Sequence, residues 1–434
     1  INLIFIRKKK TTLTVIVMKK TLFLLVLMLF IGCSSDNDPP VADNDQMSGG
    51  ENPVGEGEAE GNFIPCDNGM AGVYPCSGFD LLGRIDLATF NASSGNDVWG
   101  WTDTTTGREY VLMGLDNGTA FVDITDTENL IYLGKLPTAT VSSAWRDVKV
   151  YQDHAFIGSE ANGHGMQVFD LTRLRQVSNP PVQFTADFRY TGFGNSHNIV
   201  INETTGYAYA VGTSRGDAFN GGAHFIDISD PKNPVAAGGY GDSGYTHDAQ
   251  VVTYNGPDAD YTGREIFIGA NENQGVLADV TDKNNPVTIT TLTYPNLGYT
   301  HQGWFTEDQR YFIFGDELDE LNDGFASRTL VFDFEDLDNP APHTTYLGPT
   351  SAIDHNGYVK EEEFYLANYT AGVRILDISG ISNQTLTEVG YFDSFPASNT
   401  AQFNGVWSVY PYFDSGKVVI SDINSGLFII SKTP

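Results

Sequence analysis

Half of the histidines in this chain occupy one position of a repeated pattern. The sequence has eight histidines, and four of them open short segments that recur at intervals of 49 to 54 residues. The equivalent positions in the seven segments are Asn96, Arg146, His197, His247, His301, His355 and Asn404. Because imidazole nitrogens are common ligands of divalent transition metals, the four histidines predict a metal site if the repeats converge on one axis.

A second position, at the end of the second predicted strand, carries carboxylates in several of the repeats. We therefore predict that the four histidines bind a metal together with Glu160, Glu272 and Asp316. The residues that directly follow the histidines are predicted to orient the imidazole rings as acceptors, and they are Asn198, Asp248, Gln302 and Asn356. The competing interpretation is that the histidines only hydrogen-bond between neighbouring repeats, since clustered titratable groups are probabilistic markers of a site.

Three further residues are candidates for contact with a ligand. Arg146 and Asp147 either bind an anion or form a structural ion pair, and we favour the ion pair. Glu317 lies beside Asp316 in the acidic run 316–323, for which calcium is a second metal candidate. The spacing of that run is not that of a helix-loop-helix calcium site, so a solvated loop fits it better.

The elements that must position these residues are short strands. Each complete repeat contains four, and the third ends in an aspartate in six of the repeats, as in Phe225-Ile226-Asp227. The residues after these aspartates are typical of turns, so we interpret the aspartates as turn residues and not as catalytic groups. Four strands in each of seven repeats predict an all-β, seven-bladed β-propeller.

The seventh repeat ends after its third strand, and an early segment supplies the missing strand. The segment 81–85 resembles the fourth strand of the first repeat. We expect it to complete the last blade, which closes the ring and removes an exposed edge. The alternative architecture, an open solenoid, does not account for this displaced strand.

The amino-terminal region indicates export. Residues 1–17 precede the first methionine and are interpreted as an extension of the gene model, and residues 18–32 as a lipoprotein signal peptide. The apolar run is too short to span a membrane, and Cys33 follows it in the position of a lipid-accepting cysteine. We expect an outer-membrane lipoprotein that faces either the cell surface or the periplasm.

A linker and a disulfide are predicted between the lipid site and the propeller. Residues 33–62 are acidic and poor in large apolar side chains, which predicts a disordered tether, and the propeller then covers residues 63–434. Cys66 and Cys76 are close in sequence, and in an exported protein we expect them to be bonded. The net charge of −31 argues against nucleic acid as a partner.

Several strings resemble a known family. The aspartate-ending strands resemble LVIVD repeats. The chain also resembles the choice-of-anchor B family over roughly residues 61–434. The segments that carry this resemblance are the two-cysteine segment and residues 96–101, 145–150 and 163–171. The resemblance implies a propeller-like domain with a separate means of attachment, and it implies no activity.

Three functions are consistent with the sequence. We expect a monomeric binding module, held at the membrane by its lipid, whose acidic, histidine-bearing face recognises a protein or carbohydrate ligand. The alternative is a metal-dependent hydrolase with Glu160 or Glu272 as general base. A purely structural adhesion protein, binding through outer loops, is a third hypothesis.

Overall fold

A disulfide-linked hairpin begins the part of the chain that the computed structural model describes, residues 63–434. Strand β1 (Met70–Ala71) pairs antiparallel with β2 (Tyr74–Ser77). Cys66 and Cys76 are bonded, which confirms the predicted disulfide. The predicted gene-model extension, signal peptide, lipid site Cys33 and linker lie outside the described residues.

The next strand closes the ring. Strand β3 (Phe79–Ile85) pairs antiparallel with the last strand of the chain, from Phe79 opposite Lys432 to Ile85 opposite Leu427. This confirms that the early segment completes the seventh blade. The hairpin itself joins a different blade, because β2 pairs with the outer strand of blade 6 through Cys76 and Phe392.

Seven antiparallel sheets make up the propeller, and we number them as blades 1 to 7 in chain order. Blade 1 contains β4 (Gly95–Asp103), β5 (Arg108–Leu115), β6 (Gly118–Asp123) and β7 (Ile131–Pro137). Blade 2 begins with β8 (Arg146–Tyr151), β9 (His154–Ser159) and β10 (Met166–Asp170). The short β11 (Val182–Gln183) then adds to blade 1 in parallel with β7, and β12 (Phe188–Tyr190) completes blade 2.

The remaining blades follow the same order of strands from the axis outward. Blade 3 contains β13 (Asn198–Asn202), β14 (Tyr207–Val211), β15 (Ala223–Asp227) and β16 (Val235–Tyr240). Blade 4 contains β17 (Asp248–Thr253), β18 (Glu265–Ala270), β19 (Gly275–Asp279) and β20 (Val287–Leu292). Blade 5 contains β21 (Thr300–Phe305), β22 (Tyr311–Asp316), β23 (Arg328–Asp333) and β24 (Ala341–Leu347). Blade 6 contains β25 (Gly357–Lys360), β26 (Glu363–Ala367), β27 (Val373–Asp377) and β28 (Thr387–Phe392). Blade 7 contains β29 (Val406–Tyr410), β30 (Lys417–Asp422), β31 (Gly426–Lys432) and β3.

Helical structure is sparse among the described residues. A single α-helix, α1 (Asp319–Asp323), follows β22, and three short 3₁₀ turns cover Leu171–Gln176, Ala259–Tyr261 and Ile381–Asn383. No helix within residues 63–434 has the length and apolar character needed to cross a membrane.

Apolar side chains fill the spaces between blades. The fully buried Leu112 and Phe121 of blade 1 pack in one cluster with Ile157 and Phe169 of blade 2, and similar clusters join other neighbouring blades. The inner strands also contact one another around the ring, including β29 and β4 across the closure. The first strand of each blade therefore faces a common central channel, and its first residues lie near one mouth of that channel.

The aspartates that end the third strands stabilise turns, as predicted. In each of six blades the carboxylate accepts a backbone N–H from two residues ahead, at 2.8–3.1 Å, and the six are Asp123, Asp170, Asp227, Asp279, Asp333 and Asp377. This is the local side-chain capture of backbone amides that favours aspartate in turns.

Candidate metal centre

Four histidine rings meet at the starts of consecutive inner strands, and we call His197, His247, His301 and His355 the histidine arc. The ring centroids of neighbours are 4.0, 4.5 and 4.3 Å apart in chain order. All four side chains are buried. The repeat thus brings equivalent residues of blades 3 to 6 into direct contact.

Backbone hydrogen bonds fix these positions. The N–H groups of His197, His247 and His355 donate to Val211, Ala270 and Ala367 in the second strands of their blades, each at 2.9 Å. His301 is held differently, because it is the extra residue in a bulge between β21 and β22. A bulge re-aims the side chain that it contains.

Glu317 faces two histidines of the arc, His301 and His355. Glu317 Oε2 lies 3.7 Å from His301 Nε2, and Glu317 Oε1 lies 3.6 Å from His355 Nε2. The Tyr369 hydroxyl donates to Glu317 Oε1 at 2.8 Å. Ligand atoms of His247, His301 and Glu317 all lie within 4.8 Å of one another. A metal ion with bonds of about 2.0–2.2 Å needs only a small contraction of this group.

Three nitrogens of the arc have no hydrogen-bond partner although they are buried. They are His247 Nε2, His301 Nδ1 and His355 Nε2. The opposite nitrogens of two of these rings are held, because His247 Nδ1 contacts the Tyr299 hydroxyl at 3.0 Å and His355 Nδ1 contacts the Trp407 carbonyl at 2.6 Å. A ring held at one nitrogen and free at the other is the usual arrangement of a metal-binding histidine.

The electrostatic environment keeps three of the four rings neutral. Burial, followed by the charges of neighbouring histidines, lowers the pKa of His247 and of His301 well below its ordinary value. Burial also lowers the pKa of His355 to about 3, and it raises the pKa of Glu317 to about 7. Neutral imidazoles carry the lone pairs that a metal requires, so these three histidines are prepared for coordination at neutral pH.

His197 and Glu160 engage each other. His197 Nδ1 lies 2.5 Å from Glu160 Oε1. Burial lowers the pKa of His197, but the hydrogen bond and the charge of Glu160 outweigh burial, and the pKa is raised. The two form an ion pair beside His247.

Two carboxylates that we predicted as ligands are held elsewhere. Glu272 makes two hydrogen bonds with Arg215, at 2.6 and 3.0 Å. Asp316 is fully buried and accepts from the N–H groups of Gly298 and Tyr299 at 2.8 and 2.7 Å. Asp316 therefore secures the loop before β21, and its neighbour Glu317 takes the place facing the arc.

The predicted orienting residues also point elsewhere. These residues line a cavity in the central channel, and they are Asn198, Asp248, Gln302 and Asn356. Gln302 bonds both the N–H and the carbonyl of Gly357, at 3.0 and 3.2 Å, and so joins blades 5 and 6. Neighbouring residues on a strand point to opposite sides, so the residue after each histidine turns away from its ring.

Arg146 and Asp147 do not pair with each other, for the same reason. The guanidinium of Arg146 is buried and donates to the Leu115 carbonyl at 2.9 Å, with a second contact to His164 Nε2 at 3.0 Å. Asp147 instead pairs with Lys149 at 2.5 Å. The favoured ion pair between Arg146 and Asp147 is therefore wrong.

The sequence did not predict three parts of the centre, which are Tyr299, Tyr369 and the Trp407 carbonyl. None of them occupies a repeated position that carries a chemical signal. Tyr299 lies two residues before His301, and Tyr369 lies in the loop between the second and third strands of blade 6. Their roles depend on loop conformation, which repeat alignment does not report.

Comparisons with known proteins complete these observations. Neither a family model nor a curated protein matches this chain. Among solved structures, it is similar to the β-propeller domain of Cps50 (Swd1) from Myceliophteria thermophila, with 10% identity and a TM-score of 0.49 over 79% of this chain and 97% of that one.

Proposed function

We propose that this propeller binds a divalent transition metal at the histidine arc. His247, His301 and Glu317 supply the ligands, and His355 Nε2 is placed to add a fourth. The observation that carries the proposal is the set of three buried imidazole nitrogens without hydrogen-bond partners. Leaving such groups unsatisfied costs about 1–3 kcal/mol each, and coordination of a metal removes that cost.

The chemistry of the donors selects the class of metal. Two or three imidazoles with one carboxylate suit zinc, copper, nickel or iron, whereas calcium takes oxygen ligands. The acidic run 316–323 also offers no calcium loop, because Asp316 is bonded to backbone amides and Asp319 is paired with Arg328. We therefore assign the site to a transition metal.

A hydrolytic role is the second candidate, and the pair His197–Glu160 favours it. Glu160 retains 29% of its side-chain exposure, and the His197 ring lies 4.0 Å from that of His247. A metal with an open position lowers the pKa of its bound water, and a carboxylate beside it can accept a proton. If the bound metal does not activate water, the same site serves only to bind a ligand.

Changing His301 to Ala is expected to remove the metal. Elemental mass spectrometry of the purified protein should find about one transition metal ion per chain. H301A should weaken the affinity for the metal by on the order of a hundredfold or more, because it removes one of the proposed ligands. His343→Ala is the control, since His343 Nε2 bonds the Ile381 carbonyl in the outer part of blades 5 and 6.

Equal metal content in wild-type, H301A and H343A proteins would contradict the proposal. The same three proteins test the hydrolytic role, when their rates of hydrolysis of p-nitrophenyl acetate and p-nitrophenyl phosphate are measured. Turnover that is lost in H301A and kept in H343A assigns the metal a hydrolytic role, and no turnover in any of them leaves a binding function.

We propose further that a lipid on Cys33 displays the propeller at the cell envelope. Support comes from the apolar run that ends at Gly32-Cys33 and from the acidic linker that follows it. Mass spectrometry of the mature protein should find an amino terminus at Cys33 carrying acyl chains. Cys33→Ser should yield protein that detergent-free washing releases from membranes, and a wild-type chain that is equally released would argue against the anchor.

A further inference from the structure

A cavity lies in the central channel next to the histidine arc. Its volume is about 140 Å³, and its walls come from the inner strands β4, β8, β13, β17, β21 and β25. The cavity runs along β13. It begins at Asn198, the residue after His197, and ends at Glu203, which is exposed. The cavity therefore extends away from the arc toward the opposite mouth of the channel.

The cavity wall includes a buried carboxylate that makes no ion pair, Asp248. Lys149 is paired with Asp97 at 3.0 Å and with Asp147 at 2.5 Å. Asp248 is buried, and within residues 63–434 no lysine, arginine or histidine lies within ion-pair distance of it. Its Oδ1 accepts only from the N–H of Ala249, at 2.6 Å. Burying a carboxylate without a direct ion pair is unfavourable, and Lys149 in the same wall is already paired with Asp97 and Asp147, so this site favours a positively charged occupant.

Aromatic rings form another part of the wall. Trp304 and Tyr358 contact each other edge to face, with ring centroids 5.0 Å apart. Trp99 also lines the cavity, and the Lys149 ammonium already lies 4.6 Å from the centroid of its ring. The channel thus uses an aromatic ring to hold one ammonium group, and it presents two more rings that no lysine or arginine covers in the described residues.

We infer that this cavity binds a small alkylammonium ion, with Asp248 as its counter-ion and Trp304 and Tyr358 as its aromatic wall. The volume is close to that of an engineered cavity of about 150 Å³ that accommodates benzene, which sets the size of the occupant. Aromatic rings beside a carboxylate recognise organic cations. The acidic surface of the protein raises the local concentration of cations at the mouth.

Calorimetric titration with tetramethylammonium chloride tests this inference. The full mature protein is first treated with a chelator, so that failure of the metal proposal leaves this experiment unaffected. We expect saturable binding at one site per chain. Asp248→Asn should weaken that binding by on the order of tenfold or more, because the variant keeps the shape and removes the charge.

Two further variants and a neutral probe make the result specific. Trp304→Leu should weaken binding by about threefold or more, since it removes one ring of the wall. Glu128→Gln removes the same charge from an exposed turn and should leave binding unchanged. tert-Butanol, a neutral molecule of similar size, should not bind.

Absence of binding by the wild-type protein would overturn the inference. Equal weakening by D248N and E128Q would overturn it as well, because the effect would then be one of net charge. Binding of tert-butanol as tight as that of tetramethylammonium would show a merely apolar cavity. If D248N fails to fold by circular dichroism, W304L and the two probes still decide the question.

Discussion

A chain that begins at Asp86, and so lacks β3, is expected to lose its cooperative fold. Strand β3 buries Phe79, Leu81 and Ile85, whose exposures are 2%, 2% and 0%. It also provides the whole ladder of pairs with β31. Burial of three such side chains contributes roughly 5–9 kcal/mol, which is comparable to the total stability of many domains.

Loss of β3 also affects the blades beside the gap. Leu81 packs in the cluster shared by blades 6 and 7, whereas Ile85 packs in the cluster shared by blades 7 and 1. Without β3, strand β31 becomes an open edge with apolar residues next to it, which favours association between chains. We therefore expect aggregation together with loss of the near-ultraviolet circular dichroism signal.

A chain that begins at Gly78 is the matched control. It lacks β1, β2 and the disulfide but keeps β3, so the ring stays closed. We expect it to unfold cooperatively in urea with only a moderate decrease in the free energy of unfolding. If the two truncated chains unfold at the same urea concentration as each other, closure by β3 is not what holds the ring together.

Changing Lys283 to Met is expected to destabilise the protein by about 3–5 kcal/mol. Lys283 Nζ donates to Glu265 Oε2 at 2.6 Å and to the Val280 carbonyl at 2.7 Å. Both charged side chains are buried, with exposures of 9% and 5%. Removing the ammonium leaves the Glu265 carboxylate buried without its counter-charge, which costs more than the pair itself contributes.

The carboxylate of Glu265 also joins blades 3 and 4. Its Oε1 accepts from Asn202 at 2.9 Å, from Thr205 at 2.7 Å and from the Tyr209 hydroxyl. A neutral amide in its place keeps part of this network. The double variant K283M with Glu265→Gln should therefore recover part of the lost free energy, and unfolding in urea measures all three proteins.

Lys232→Met is the control for the loss of a lysine in an ion pair. Lys232 pairs with Asp170 at 3.1 Å, but its side chain is 60% exposed, so the expected cost is about 0–1 kcal/mol. If K283M and K232M lose similar free energies of unfolding, burial does not determine how much the Lys283–Glu265 pair contributes to stability.

Much of the architecture was predictable because the chain repeats itself. The number of blades, the four strands of each, and the turn role of Asp227 and its equivalents follow from local patterns that recur along the chain. The closing strand was predictable because the segment 81–85 resembles a fourth strand, while the last repeat lacks one. Repetition also predicts convergence of the arc, since equivalent residues occupy equivalent places around an axis.

The sequence by itself therefore determined the fold and the meeting of four histidines, whereas the tertiary structure decided which groups complete the centre. The sequence predicted Glu272 and Asp316 as ligands, but Arg215 and the loop before β21 hold them. Glu317 faces the arc instead, because the chain leaves β22 into α1 and only one of two adjacent carboxylates can point to the axis. Repeat alignment reports the position of a residue along its strand, but side-chain direction depends on alternation, on the bulge at His301 and on loops that differ between blades.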